Sequence, residues 1–346
     1  MPAKEPDLSS FHRETELVEL RRVNSDLQAK LRRATTSQVN AIEAIRHGSR
    51  DAALVLGNPP AVPKPKVDKQ SGKEEVALLH CSDWHFGANT VSFDLDVAAE
   101  RVRSLGRKVT RLAAIERADH PVRCIHVLLA GDMVEGVTVF PGQGWEVKTG
   151  LLRQLYAAVG AGVELLRHLA ADFESIEIWE EAGNHGRIGK RGDVPKEDNI
   201  DLLVYGLIRE RTRDLEDAGR VVWHESTHGW HSIVEIGDYR ALLVHGDEVR
   251  SFGGQVPAFG IAKKVNAWAT GVVAPFTDCM MGHFHQPLVI PLAHGRGRVF
   301  VNPSIESDSI YAQEFVGATG TPGQRLNFIN PRAGRVTSER IIWLDD

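Results

Sequence analysis

The chain has 346 residues, of which 42% are hydrophobic and 25% are charged, and its formal net charge is −5 at pH 7. This composition is that of an ordinary globular protein with a substantial core. The acidic balance counts against broad, non-specific binding to nucleic acid, although carboxylates that bind cations would account for part of it.

Nothing in the sequence predicts export or a membrane span. The N-terminal stretch has no apolar segment, and no run of about 18 residues is free of charge, as a spanning helix requires. We therefore expect a cytoplasmic protein without a membrane partner. Cys81, Cys124 and Cys279 lie in or beside apolar runs at unrelated spacings, which predicts reduced, packed thiols.

Residues 11–56 have helical periodicity, and we predict a helical extension over residues 1–56. Five apolar residues fall on the a and d positions of a heptad: Leu17, Leu20, Leu27, Leu31 and Ala34. Asn24 falls on an a position, where a buried Asn can fix the register of a parallel dimer. The pattern predicts a short coiled coil and a homo-oligomer. An amphipathic helix that lies on its own domain explains it equally well.

Residues 57–75 include the run GNPPAVPKPKVDKQSGK, which is rich in Pro, Lys and Gly. Since this stretch has almost nothing to bury, we predict an extended, mobile linker. A domain boundary near residue 75 follows, with one domain over residues 76–346.

From residue 76 onward, helices and strands first alternate and then strands predominate. We predict early strands at 76–80, 122–130 and 175–179, with helices at 94–118, 147–172 and 198–214. Later strands are predicted at 221–224, 231–236, 240–244, 277–281, 288–290 and 299–301, with one helix near 256–269. The alternation implies parallel strands with crossover helices, and the later half implies a second sheet. The predicted fold is α/β, a two-sheet β-sandwich flanked by helices.

Five short polar elements follow predicted strands and carry residue types that bind divalent cations. They are Ser82-Asp83-Trp84-His85, Gly131-Asp132, Gly183-Asn184-His185, His245-Gly246 and Gly282-His283-Phe284-His285. Two ions about 3.5 to 4 Å apart need terminal ligands for each and one carboxylate that bridges them. The sequence therefore predicts two adjacent metal sites.

Asp132 is the best candidate for the bridging carboxylate. It directly follows a strand, and Gly131 lets the backbone turn sharply. Asp83 and His85, two residues apart on an extended segment, can converge on one ion, with His285 as a further ligand.

The second ion would take Asn184, His245 and His283. His283 and His285 are expected to point to the same side of an extended backbone, so that each reaches one of two neighbouring metals. Other single histidines of the chain are more often solvated or hydrogen-bonded than bound to metal.

These five elements, in this order, resemble the calcineurin-like metallophosphoesterases over roughly residues 76–302. The resemblance implies a β-sandwich flanked by helices, two divalent ions and phosphoester hydrolysis. We expect Mn²⁺, with Fe or Zn²⁺ as alternatives. By this resemblance the catalytic residues are Asp132 and His185, and His185 meets the phosphate or the leaving group instead of a metal. Glu135 stands where the family often has Asp or Asn.

Two motifs resemble those of DNA-processing enzymes. The run Ser82-Asp83-Trp84-His85-Phe86-Gly87 is similar to the first motif of SbcD-type repair nucleases. The run from Gly131 to Gly136, followed by Phe140-Pro141-Gly142-Gln143, is similar to the exonuclease small subunit of archaeal family-D DNA polymerases. Residues 1–75 are too short for the OB-fold of that subunit, so the family's known partners are not carried over.

Residues near the predicted site suit a nucleic acid. Three cations could contact flanking phosphates: Arg187, Lys190 and Arg191. Two aromatic residues could stack on an unpaired base: Phe140 and Trp145. A solvated basic loop, and aromatics that pack over the edge of the sandwich, explain the same residues equally well.

We therefore predict a two-metal phosphodiesterase that acts on DNA, as an exonuclease or DNA-repair nuclease. One alternative is a small-molecule phosphoesterase that acts on cyclic nucleotides or phosphomonoesters, for which the acidic charge is the better fit. The other is an inactive metal-binding interaction module whose N-terminal helix recruits a partner.

Overall fold

The computed structural model describes most of the chain after residue 60. The described residues are 61–65, 68–139, 143, 147–189, 195–226, 229–250, 256–293, 297–308 and 320–345, together with Arg22 and Ser25. Apart from those two residues, the predicted helical extension and the oligomer that depends on it lie outside the described residues. So do Phe140, Trp145, Lys190 and Arg191. The domain boundaries stay predictions.

A six-stranded sheet forms one half of the sandwich. Its four parallel strands are β1 (Val76–Cys81), β2 (Cys124–Ala130), β3 (Ser175–Glu181) and β4 (Val221–His224). Two later strands, β10 (Gly323–Asn330) and β11 (Arg335–Trp343), are antiparallel to their neighbours. The strand order is β11-β10-β1-β2-β3-β4. β1 is buried throughout, as expected for a central strand covered on both faces.

A five-stranded sheet forms the other half. Its strands are β5 (Ser232–Ile236), β6 (Tyr239–Val244), β7 (Asp278–Met281), β8 (Leu288–Pro291) and β9 (Arg298–Val301). Their order is β5-β6-β7-β9-β8, in which β6, β7 and β9 are parallel and the two edge strands are antiparallel.

Helices cover the outer faces of both sheets. They are α1 (Leu95–Glu116), α2 (Leu151–Ala170), α3 (Ile200–Arg211), α4 (Arg213–Asp217) and α5 (Ala258–Ala269). α1, α2 and α3 pack side by side and contact strands of the first sheet, whereas α5 packs on the second. None of the described helices is long and apolar enough to cross a membrane.

Side chains of β6 alternate between the two apolar layers of the sandwich. Ala241 and Leu243 face the first sheet, where they pack with residues of β1 and β2 such as Leu78. Leu242 and Val244 face the opposite way and pack against α5. Because alternate residues of a strand point to opposite faces, one strand supplies both apolar layers.

The two-sheet sandwich flanked by helices confirms the predicted fold. Each predicted strand and helix from residue 76 to residue 301 is present, with ends that differ by a few residues. One difference is a break at Thr212, which divides the helix predicted at 198–214 into α3 and α4.

The hairpin of β10 and β11 was not predicted. β10 carries polar residues at buried positions, and among them Gln324, Arg325 and Asn327 are at most 3% exposed. Gln324 Oε1 accepts a hydrogen bond from Ser82 N at 3.0 Å, and its Nε2 donates to Pro303 O at 2.6 Å. From the sequence alone, these polar residues indicate a loop and not a strand. Their burial depends on partners that are distant in the chain.

Part of the segment predicted as a linker makes defined contacts. Asp68 N donates to Glu174 Oε1 at 3.0 Å. Arg123 donates to the carbonyl oxygens of Asp68 and Gln70 at 3.0 and 2.7 Å. These bonds hold residues 68–70 against the segments that precede β2 and β3. This part of the chain is therefore not the mobile linker that its composition predicts.

The three cysteines are free thiols, as predicted, and Cys81 and Cys279 are buried. Burial raises the pKa of the Cys124 thiol to about 11 and that of Cys279 well above its ordinary value. These thiols are therefore protonated at neutral pH and act as packing groups.

The hairpin should contribute substantially to stability. Phe328 on β10 is 1% exposed, whereas Trp343 on β11 is 42% exposed. We expect Phe328→Ala to lower the free energy of unfolding by about 3 to 5 kcal/mol, because it leaves a cavity in the core. Urea denaturation measures this. Trp343→Ala is the control in the same hairpin and should cost less; equal losses would contradict a core role for β10.

Candidate metal centre

The five polar elements lie at the carboxyl ends of five strands. Asp83 follows β1, Asp132 follows β2 and Asn184 follows β3, all in the first sheet. His245 follows β6 and His283 follows β7, both in the second sheet. Since the carboxyl ends of parallel strands meet at one edge of a sheet, the two sheets bring their elements to a common site.

One group of side chains contains Asp83, His85 and His285, whose ligand atoms lie within 4.8 Å of one another. His85 Nε2 and His285 Nε2 are 3.0 Å apart, and His285 Nε2 is 3.4 Å from Asp83 Oδ1. The side chains of Asp83 and His85 are buried, while that of His285 is 27% exposed. This group therefore opens to solvent on the His285 side.

A second group contains Asp132, His245 and His283, whose ligand atoms also lie within 4.8 Å of one another. His245 Nε2 is 3.0 Å from Asp132 Oδ2 and 3.1 Å from Asn184 Oδ1. The structure thus brings together the side chains that the sequence assigned to each ion. Their individual roles as ligands stay predictions.

The extended backbone predicted around Asp83, His85, His283 and His285 is wrong. These four residues have φ angles in the left-handed region, at 55°, 46°, 68° and 55° respectively. Asp132, where a sharp turn was predicted, also has a φ of 55°. Among the other described non-glycine residues, only Asp308 has a positive φ. The chain turns sharply as it leaves each strand, so the side chains converge through these turns and not through the pleat of a strand.

Hydrogen bonds fix the orientation of two of the rings. His85 Nδ1 lies 2.8 Å from Glu135 Oε2, and His245 Nδ1 lies 2.8 Å from Ala130 O. Because a carboxylate and a carbonyl oxygen only accept, each Nδ1 carries the proton. The Nε2 of each ring then faces its group, where a bound ion would take the place of a second proton, as in metal-binding histidines.

The donor set of the second group fits a cation. The oxygens of Asp132 and Asn184 lie 3.0 and 3.1 Å from Nε2 of His245. Ligands about 2.1 Å from an ion and at right angles to each other are themselves about 3.0 Å apart. Carboxylate, amide and imidazole donors together suit Mn²⁺, Fe or Zn²⁺. The centre therefore suits divalent metal.

The charges around His245 also favour a bound cation. Burial opposes a charge on the ring, but Asp132 and, more weakly, Asp83 raise the pKa of His245 well above its ordinary value. Burial and the neighbouring His245 instead lower the pKa of His283 to about 4, which leaves that ring neutral. The position between these carboxylates thus favours positive charge.

Asp201 on α3 holds the backbone around Asp132 and was not predicted from the sequence. It is fully buried and accepts hydrogen bonds from the backbone N–H groups of Asp132, Met133 and Gly183, each at 2.9 Å. Its own N–H is capped by Asn199 Oδ1 at 2.8 Å. The helix cap is a local signal, but nothing near Asp201 indicates partners 69 residues earlier in the chain.

Tyr205, one turn further along α3, bonds the ends of two strands. Its hydroxyl accepts from Gly131 N at 3.0 Å and donates to Glu181 O at 3.1 Å. The exit of β2 is thereby tied to the end of β3, which positions the Asp132 turn.

Position 183 requires a glycine because the Asp132 carboxylate lies very close to its backbone. A Cβ atom at this position would lie 2.1 Å from Asp132 Oδ1, well inside van der Waals contact. The same oxygen accepts a hydrogen bond from His185 N at 2.7 Å. A glycine in the third polar element therefore lets the Asp132 carboxylate lie directly against the backbone of its neighbour.

His185 lies beside the first group, where Glu135 contacts it. Its Nδ1 donates to Glu135 O at 2.9 Å and is 3.3 Å from Glu135 Oε2, and its ring centroid is 4.5 Å from that of His85. Burial opposes a charge on His185, but Asp132 and Glu135 raise its pKa to about 10. The ring is therefore protonated at neutral pH, as a proton donor must be.

Glu135 connects the ring of His185 to that of His85. Its Oε2 faces both histidines, and its Oε1 accepts from Gln143 Nε2 at 2.9 Å. The sequence marked Glu135 only as a departure from the family pattern. The structure gives it a definite place as the carboxylate that orients these two rings.

Of the predicted phosphate-binding cations, the described part of the chain includes only Arg187. Its guanidinium pairs with the carboxylate of Asp247, which is two residues after His245. The Arg187 side chain is 29% exposed. Arg187 therefore lies beside the second group, with part of its charge offset by Asp247.

Trp84 and Phe86 carry the resemblance to repair nucleases, and both are fully buried. Their rings pack edge to face with centroids 6.1 Å apart. They contribute to the core that supports the first element, and neither reaches a substrate directly.

No family model and no curated protein matches this chain. Solved structures that align with it include a predicted phosphoesterase from Streptococcus pneumoniae TIGR4, with 12% identity, 78% of this chain and 99% of that chain covered, and a TM-score of 0.30. An archaeal phosphodiesterase has 10% identity, with 77% and 99% covered and a TM-score of 0.33. Zinc-bound Vps29 from Entamoeba histolytica has 11% identity, with 77% and 98% covered and a TM-score of 0.33.

These three neighbours have at most 12% identity and TM-scores of at most 0.33, so the functional proposal rests on the residues of the site. What the site shows is an arrangement of carboxylate, amide and imidazole ligands that suits a metal-dependent phosphoesterase.

Replacing Asp201 should weaken metal binding. An amide cannot accept from three N–H groups as the carboxylate does, so Asp201→Asn should reduce the affinity for Mn²⁺ by about 10- to 100-fold. Isothermal titration calorimetry measures the dissociation constant for Mn²⁺. Asp217→Asn, an exposed change on α4, is the control and should retain wild-type affinity. An unchanged affinity in Asp201→Asn would contradict its supporting role.

Replacing Glu135 should shift the pH dependence of activity. A general acid acts below its pKa, so the rate falls as pH rises through that pKa. Glu135→Gln removes a charge that raises the pKa of His185, and the basic limb of the pH–rate profile should move to lower pH by about 1 to 3 units.

The matched control for that shift is Glu177→Gln. Glu177 Oε2 lies 2.6 Å from His224 Nε2 in a pair remote from the centre. This variant should leave the profile unchanged. The same profile in Glu135→Gln and wild type would show that His185 is not the group whose titration limits the rate.

Proposed function

We propose that this chain is a two-metal phosphodiesterase that hydrolyses DNA, as an exonuclease or DNA-repair nuclease. The observation that carries the reaction class is the pair of ligand groups at one edge of the sandwich, with His185 beside them. Phosphoester hydrolysis needs cations near the phosphate and a proton donor for the leaving oxygen, and this edge offers residues for both.

Divalent ions held by the two groups would acidify a bound water and offset charge on the phosphate oxygens. The remaining tasks belong to side chains of this protein. Asp132, fixed by Asp201 and Tyr205 through the adjacent backbone, places its Oδ2 3.0 Å from His245 Nε2. His185 is held through Nδ1 by Glu135, which leaves Nε2 as the atom that donates a proton to the leaving alkoxide.

DNA as the substrate is supported by motif resemblance and by one cation. The runs that begin at Ser82 and Gly131 resemble those of DNA-processing enzymes. Arg187 lies close to the second group and can contact a phosphate next to the reacting one. Lys190, Arg191 and Trp145 are proposed to extend this contact along the strand.

A second candidate is a phosphoesterase for small substrates, such as a cyclic nucleotide or a phosphomonoester. Two observations favour it. The net charge of the chain is −5, and Arg187 is already paired with Asp247. A small ester needs fewer cationic contacts outside the metal groups than a DNA strand does.

The test is a Mn²⁺-supplemented assay that compares end-labelled single- and double-stranded DNA with a chromogenic diester and a monoester. DNA hydrolysis should fall at least tenfold, on the order of magnitude expected for several phosphate contacts, between low and physiological salt. Turnover of a small ester should fall much less. Efficient small-ester turnover without DNA hydrolysis would favour the second candidate.

Two variants in the same assay separate metal binding from proton transfer. Asp132→Ala should lose metal and activity together. His185→Ala should retain metal and lose about 10²- to 10⁴-fold in rate. Full activity in His185→Ala would remove its proposed role, and the absence of Mn²⁺-dependent turnover of any ester by wild type would leave a metal-binding interaction module instead.

A further inference from the structure

Three potential ligand side chains converge at the opposite end of β1 from the candidate metal centre. Glu75 directly precedes β1, Glu116 is the last residue of α1, and His120 lies in the connection to β2. Each offers a ligand atom, and these atoms lie within 4.8 Å of one another. The six residues of β1 separate this cluster from Asp83 by about 20 Å.

The backbone holds the three residues in this arrangement. Glu75 N donates to Pro121 O at 2.9 Å, and His120 N donates to Glu116 O at 3.0 Å. The backbone positions of Glu75, Glu116 and His120 are therefore fixed relative to one another. The geometry of the cluster is set by the first strand and by the turn that ends α1.

Glu75 is the unusual member of the cluster. Its residue is only 3% exposed, and its Oε2 has no hydrogen-bond partner among the described residues. Burying a carboxylate oxygen without a hydrogen-bond donor costs on the order of a few kcal/mol. A buried oxygen without a donor indicates that something else satisfies it.

The second carboxylate makes this need greater. Burial and the charge of Glu75 both raise the pKa of Glu116, while the cation of Arg340 acts in the opposite direction. Two carboxylates that repel each other at this range are stabilised by a cation between them.

His120 makes the cluster more than an acidic pair. Its side chain is 32% exposed, so the ring is accessible from solvent, and its Nε2 is 3.2 Å from Asp119 Oδ2. A neighbouring carboxylate commonly orients the ring of a metal-binding histidine. The Asp119 side chain is itself 86% exposed and adds negative charge at the entrance.

We propose that Glu75, Glu116 and His120 form a third metal site, which binds a zinc-type divalent ion and has a structural role. Two carboxylate oxygens and an imidazole nitrogen provide three protein ligands, and water can complete a tetrahedral set. The imidazole favours Zn²⁺ over Ca²⁺ or Mg²⁺, which prefer oxygen ligands alone. The ion joins the start of β1 to the end of α1.

The site is tested by counting zinc on the full-length protein and its variants. Each protein is equilibrated with buffered free Zn²⁺, and bound metal is measured by mass spectrometry. Wild type should hold one more equivalent of zinc than either His120→Ala or Glu75→Gln. His168→Ala is the matched control, because His168 is an exposed histidine outside the cluster, and it should hold as much zinc as wild type.

A thermal melt gives a second readout that does not depend on catalysis. Zinc that binds only the folded chain raises its melting temperature, so the rise should be larger for wild type and His168→Ala than for His120→Ala. Equal zinc content and equal thermal shifts in wild type and His120→Ala would overturn the proposal. The Mn²⁺-dependent activity of His120→Ala should equal that of wild type, which separates this outcome from the test of the proposed function.

Discussion

The candidate metal centre depends on backbone conformations that cost free energy. Asp83, His85 and Asp132 leave their strands in the left-handed region, as do His283 and His285. Each such residue costs roughly 1 to 2 kcal/mol, and the strain persists only where the surrounding structure holds it in place. Buried parallel strands provide that support, and Asp83 N and His85 N each donate to a carbonyl oxygen of the neighbouring Gly131-Asp132 turn at 3.0 Å. The packing of the sandwich therefore determines where the ligands point.

Two acids outside the ligand groups support these turns, the fully buried Asp201 and the partly buried Glu135. Asp201 accepts three backbone N–H groups around the Asp132 turn, and Glu135 orients the rings of His85 and His185. Neither acid is a member of the two ligand groups. Glu135 determines that Nδ1 of His85 carries a proton, and Asp201 fixes the backbone from which the Asp132 carboxylate projects. The centre therefore contains two kinds of acid. Asp83 and Asp132 belong to the ligand groups, whereas Asp201 and Glu135 hold other residues of the site in place.

Much of this arrangement could be predicted from the sequence, because apolar runs that end in polar pairs mark the carboxyl ends of buried strands. The positions of the strands from residue 76 to residue 301 and the grouping of Asp83 with His285 followed from that pattern. The hairpin of β10 and β11 did not, because Gln324 and its neighbours are polar residues whose burial depends on distant partners. Asp201 was missed for the same reason, and the extended backbone was wrong because no local pattern distinguishes a strand from the sharp turn that follows it.

Each ligand group takes members from both sheets. Asp83 comes from the first sheet and its neighbour His285 from the second, while Asp132 and His245 divide in the same way. Neither sheet alone carries a complete group, so ion binding is thermodynamically linked to the docking of one sheet on the other. Ions that bind only the docked form add to its stability in proportion to the logarithm of their free concentration.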